Sequence, residues 1–171
     1  MKVIVTSYNP KWSKMFEDEA SKIKEIYGKE LLSIYHIGST SVPGLKAKPI
    51  IDIMPVVRDI KLVDNYNKQM IKLGYEPMGE YGISGRRYFR KGGDNRTHQV
   101  HIFQHNSNHV ERHIAFRDYL REHSTDAKRY ADLKEGLAKR YPNDIVAYCE
   151  GKDKFVKELE KRALKWYRDR N

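Results

Sequence analysis

The chain has 171 residues, enough for one sizeable core and too few for two well-sized domains, so residues 1–171 read as a single domain. With 39% hydrophobic and 11% aromatic residues it falls outside the disordered classes, and its apolar runs are too short for a membrane-spanning helix. Against 33 Lys and Arg stand 23 Asp and Glu, and the formal net charge of +10 suits a polyanionic partner such as nucleic acid or nucleotide phosphate. The excess is uneven: residues 1–85 carry 12 basic and 10 acidic side chains, residues 86–171 carry 21 and 13. The single cysteine, Cys149, excludes an internal disulfide and a Cys-rich zinc site, which fits a reducing cytoplasm. It is expected to be a half-buried small residue near a helix end.

Asn9-Pro10 reads as a helix cap followed by a first-turn proline, after which Trp12, Met15, Phe16, Ala20, Ile23, Ile26 and Tyr27 recur at helical spacing up to Gly28. Leu31 to Ile37 is a strand that stops at Gly38-Ser39-Thr40, with a loop at Pro43-Gly44. Residues 48–57 are apolar on both alternating faces except for Asp52, the pattern of a central covered strand. A carboxylate inside such a run demands an explanation. A second amphipathic helix is expected from Asp59 to Gly74, then a weak strand over 75–81. Arg86 to Lys91 and Thr97 to Phe103 form a hairpin around Gly92-Gly93-Asp94-Asn95. The remainder reads as helices over 108–122, over 125–140 with Ser124 or Thr125 as cap, and over about 151–169. The outcome is α+β: a mixed sheet flanked by helices with a helical C-terminal third.

The central chemical feature is Gly38-Ser39 at a strand end, with Asp52 in the next strand. Glycine lets backbone approach a phosphate, the Ser39 and Thr40 hydroxyls and nearby N–H groups donate to its oxygens, and Asp52 offers a ligand to a divalent cation. Basic side chains that could complete a phosphate site are Lys48, Arg86, Arg87, Arg90, Arg112 and Arg117. Arg86 and Arg87 are strand neighbours, so at most one faces the site, and the sequence does not say which. Tyr75, Tyr81, Tyr88 and Tyr130 are candidates for stacking on a base. His109 and His113 share a helix face, but Glu111 is placed differently from the glutamate of a zinc-protease helix, so surface histidines are the plainer reading.

Residues 36–53, HIGSTSVPGLKAKPIIDI, resemble the signature of the GrpB family, which occurs alone or fused to dephospho-CoA kinase. The likeness extends to Tyr8-Asn9-Pro10-Lys11-Trp12, Gly85-Arg86-Arg87-Tyr88-Phe89, Thr97-His98-Gln99-Val100-His101 and Phe116-Arg117-Asp118-Tyr119-Leu120. The resemblance implies a nucleotidyltransferase-like fold in which Gly-Ser binds phosphate and two or three carboxylates on adjacent strands hold metal ions. Two of those carboxylates are replaced here. The second position is Met54, on the same strand face as Asp52, and the third is His101, between Val100 and Ile102. The expectation is therefore one divalent ion, Mg²⁺ or Mn²⁺, at Asp52 and His101, both also candidate catalytic groups, with His101 as ligand or general base. The expected ligand is a nucleotide or other phosphorylated small molecule, either transferred as a nucleotidyl group or simply bound. Direct RNA or DNA recognition is a third reading, and no membrane is expected.

Overall fold

A computed structural model describes residues 2–170. Helix α1 (Lys11–Tyr27) buries Trp12, Ala20, Ile23 and Tyr27, and the Asn9 side chain accepts from the Lys11 N–H at 2.9 Å, as a cap should. It leads through a 3₁₀ turn into β1 (Leu31–Ile37), which pairs antiparallel with β2 (Ile51–Val57). The next expected helix divides: Ile60–Tyr66 is 3₁₀ and only α2 (Asn67–Lys72) is α-helical. Val63, Asp64, Asn65 and Tyr66 are all poor helix formers, which favours the shorter, tighter turns. Strand β3 (Tyr75–Pro77) is shorter than expected and gives way to a glycine-rich loop before β4 (Arg87–Lys91) and β5 (His98–Gln104).

The five strands form one sheet in the order β1-β2-β5-β4-β3, with β2 and β5 parallel and every other pair antiparallel. Alternation along β2 sends Ile51, Ile53 and Val57 into a core with Trp12, Ile23, Tyr27, Met70, Phe89, Val100 and Ile102, beneath α1 and α2. Met54 and Val56 face the opposite way, against Ile37, Phe103, Val110 and Ile114. Helix α3 (Asn108–Glu122) covers that second face, with Ser107 capping the His109 N–H.

The C-terminal helices run as α4 (Ser124–Arg140) and α5 (Ile145–Arg170). No side chain caps α4, so neither Ser124 nor Thr125 plays that part. Helix α5 begins six residues before the expected start because Gly151 is not a break: a Cβ there would lie 2.5 Å from Leu137 Cδ2, so the glycine lets α4 and α5 pack closely. The earlier start also places Cys149 within the helix and exposed, correcting its expected half-buried position at an end. Tyr119, Leu120, Tyr130, Ala131, Leu159 and Ala163 join the three helices with Val42 and Leu45 of the β1–β2 loop. That packing carries α4 and α5 past the ends of β1 and β2. No helix among the described residues is long and apolar enough to cross a membrane.

Candidate functional site: a basic cleft at the end of β1 and β2

Gly38 adopts φ +73°, a conformation open to glycine, and its Cα lies against the next strand. A Cβ at this position would be 2.6 Å from Asp52 Oδ2 and 3.2 Å from Asp52 Cβ, so no other residue fits without displacing the carboxylate. The register Ile37↔Asp52 brings the two together. Ser39, Thr40 and Ser41 then turn as a 3₁₀ segment, Ser41 N–H donating to Gly38 O at 3.1 Å. Thr40 is buried and donates to Ile50 O at 3.3 Å, so its hydroxyl accepts from His36 Nε2–H at 2.9 Å. Burial pushes the His36 imidazole down to about 4, and it stays neutral.

Asp52, Ser39, Thr40 and Lys48 share the wall of a cleft of about 560 Å³ whose other side is built by Lys134 of α4 and Tyr148 and Lys152 of α5, with Tyr81, Tyr88, Arg90 and Arg96 along the sheet. Five cations face one carboxylate. Lys134 is only 2% exposed, donates to Ser39 Oγ at 2.8 Å, and lies 4.4 Å from the centre of the Tyr130 ring. Burial, reinforced by the charges of Lys152 and Lys48, lowers its ammonium to about 7. Lys48 and Lys152 approach the Tyr148 ring at 5.2 and 5.3 Å, and burial lowers Lys48 as well. Among the described residues none of Lys48, Arg96, Lys134 and Lys152 has a carboxylate within ion-pair distance, whereas Arg90 pairs with Glu76 at 3.2 Å.

Behind the cleft, His101 Nε2 is 3.0 Å from Asp52 Oδ1 and its Nδ1 is 3.4 Å from Arg86 Nη1. Guanidinium only donates, so Nδ1 accepts and the ring proton sits on Nε2, pointing at the carboxylate. Both ring nitrogens are thereby engaged. Arg86 is the residue of its pair that faces this side, bonded also to Glu80 O and Tyr81 O. Arg87 points to the opposite sheet face, where Asp64 accepts from its Nε at 2.8 Å. Arg112 and Arg117 lie outside the cleft, because α3 aims them elsewhere: Arg112 at His109, His113 and Glu160, Arg117 at Asp118 and His36 O. Tyr75 and Tyr130 are buried away from the cleft lining, which leaves Tyr81 and Tyr88 of the four tyrosines.

Sequence reading found Arg90 but missed Lys134, Lys152 and Arg96. A signal existed for Lys134: it falls in the stripe Ala127, Tyr130, Ala131, Ala138 of α4, a lysine where the helix is otherwise apolar. Nothing comparable marks Lys152.

An open mixed sheet whose first two strands deliver Gly-Ser and aspartate to one cleft, backed by helices, is a nucleotidyltransferase-like fold. A solved structure of the Cid1 poly(U) polymerase with Mg 3′-dATP bound matches it with a TM-score of 0.56 at 12% identity, over 86% of this chain and 49% of that one, and so shares the fold. Within that class the family is clear. The model of the family described as GrpB protein matches residues 2–162, and the chain belongs to the GrpB family. The conserved protein GrpB from Enterococcus faecalis is 50% identical with a TM-score of 0.93, covering 96% of this chain and 99% of that one. UPF0157 protein YqkA of Bacillus subtilis (strain 168) is 48% identical over 170 residues, 99% of this chain, which spans only 50% of that relative's length. A dephospho-CoA kinase of Mycolicibacterium paratuberculosis is 22% identical over 183 residues, 92% of this chain and 45% of that protein, consistent with the family's occurrence within a longer kinase.

The donor set does not fit the carboxylate-held metal ions that the fold implies. Met54, two residues beyond Asp52, is buried in the apolar layer, and Asp52 Oδ1 is taken by His101. No group of three or more His, Cys, Asp or Glu side chains among the described residues could hold a metal ion.

Proposed function

We propose that this chain binds the phosphates of a nucleotide or other phosphorylated small molecule in the cleft, with side-chain cations neutralising charge that metal ions neutralise elsewhere. One observation carries the reading: Lys134 is a buried ammonium with a hydroxyl, and no carboxylate, as its partner. A buried unpaired cation costs several kcal/mol of desolvation, roughly, which an incoming anion offsets. Ser39 lies between Lys134 and the Gly38 turn, where a phosphate oxygen would receive its hydroxyl, and Lys48, Lys152 and Arg96 complete the ring of donors. The cleft volume lies within the usual range for small-molecule sites. Such a ligand belongs to a cytoplasmic setting, which the single cysteine also suits.

A second reading is favoured by Asp52, which lines the cleft with only its Oδ1 engaged by His101: nucleotidyl transfer in which a single Mg²⁺ or Mn²⁺ carried in on the phosphates would have Asp52 Oδ2 as its one protein ligand. Titration calorimetry with nucleoside triphosphates, with and without Mg²⁺, separates the two. Binding without metal, weakened on the order of 100-fold by Lys134→Met and retained by Asp52→Asn, supports the first reading. Metal-dependent binding abolished by Asp52→Asn supports the second. A steep salt dependence together with strong preference for oligonucleotides over mononucleotides would replace both with nucleic-acid binding.

A further inference from the structure

Tyr81 is the one non-glycine residue among those described that has a positive φ, +47°. A bulky L side chain is rarely held there, and the surrounding structure must impose it. The loop from Met78 to Arg86 does so with a dense set of bonds. Arg86 donates to Tyr81 O at 2.9 Å and to Glu80 O at 3.2 Å, Gly85 N–H donates to the Glu80 carboxylate at 2.6 Å, and Tyr88 N–H donates to Gly79 O at 2.7 Å. What this constraint achieves is to fix an aromatic ring at the cleft wall. The Tyr81 ring stacks on Tyr88 with centroids 5.2 Å apart and planes 26° from parallel, and Arg90 lies 5.9 Å from its centre. Tyr88 and Arg90 alternate onto the same side of β4, so both support the ring from the sheet. Yet Tyr81 remains 55% exposed. A strained, braced and exposed aromatic thus borders a cleft that four lysines and arginines without carboxylate partners line.

We infer that Tyr81 is a stacking platform for the planar base of a nucleotide whose phosphates occupy the Ser39–Lys134 end of the same cleft. The inference rests on the phosphate reading above and narrows its ligand from any phosphorylated molecule to a nucleotide. Stacking engages the face of a base and not its hydrogen-bonding edges, so Tyr81 selects for an aromatic ring with little discrimination among bases. Arg86 is then a positioning residue, holding the loop while also holding His101 toward Asp52.

The experiment measures dissociation constants of ATP, UTP and inorganic tripolyphosphate for the wild type and for Tyr81→Phe, Tyr81→Ala and Tyr81→Asn. Asparagine tolerates a positive φ, so that variant removes the ring while keeping the loop conformation. The expected result is a loss on the order of tenfold for ATP and UTP in the Ala and Asn variants, tripolyphosphate within about twofold of the wild type, and full retention in Phe. Equal weakening of tripolyphosphate and ATP in the Asn variant, or no weakening of ATP, overturns the platform. If the wild type binds ATP no more tightly than tripolyphosphate, the platform fails while the phosphate site stands. If it binds neither, the phosphate reading fails and this one falls with it.

Discussion

The core beneath α1 and the cleft on the other side of the sheet treat buried charge in opposite ways. Beneath α1, Lys91 donates to Glu19 at 2.9 Å, Tyr75 donates to the same carboxylate at 3.0 Å, and Arg87 pairs with Asp64. Both of these cations have an anion, and the carboxylate of Glu19 is only 6% exposed. On the cleft side, Lys134 is as deeply buried with no carboxylate at all. A buried charge satisfied within the chain belongs to the architecture. One left unsatisfied marks where something from outside completes the structure, because folding alone would favour an apolar residue there.

The largest expected consequence of that contrast lies on the paired face. Lys91→Met strands Glu19 in the core and should lower unfolding free energy by about 3 kcal/mol in urea denaturation, leaving phosphate affinity unchanged; adding Glu19→Gln should restore much of the loss. Lys134→Met, at a more deeply buried position, should leave the ligand-free protein at least as stable as the wild type. If Lys134→Met destabilises as much as Lys91→Met, the contrast between the faces collapses.

A change of pH probes the cleft alone. The free Lys134 ammonium is held at about 7, an anion bound beside it favours the charged form, and so binding takes up a proton above that value. Affinity is full below pH 7 and falls as pH rises, by up to about tenfold per unit across pH 7.5 to 9, beyond the ionisation of phosphate itself. Lys48, whose ammonium burial also lowers, faces the same space and reinforces the trend. A flat profile in calorimetry over this window, in the wild type, would remove Lys134 from the binding site. The smallest effect is expected at the rim of the paired face: Arg87→Ala breaks an ion pair whose Asp64 is half exposed and should cost about 0.5 kcal/mol, with no change in binding.

The reason some of this was legible in the sequence is local. Asp52 stood out because strand alternation allowed no solvent-facing explanation for it, and Gly38 because only glycine ends a strand with that freedom. The helix expected over 108–122 is found there, and the structure caps it with Ser107. Where the reading failed, distant contacts had decided. Gly151 looked like a boundary and is a point of close packing against Leu137, so α5 starts earlier and brings Tyr148 and Lys152 to the cleft. Arg112 and Arg117 looked like phosphate ligands and are held by partners on α3, α5 and β1.

By itself, then, the sequence determined the α+β class, the family, and one half of the site: Gly38, Ser39 and Asp52 come from adjacent strands whose pairing follows from their own patterns. The other half was decided only by tertiary structure. Lys134 and Lys152 lie 95 and 113 residues along the chain from Ser39, on helices whose charges look solvated until packing turns them inward. Likewise the choice of Arg86 over Arg87 waited for the register of β4 against β5, because alternation fixes that two neighbours diverge but not which face the sheet will cover.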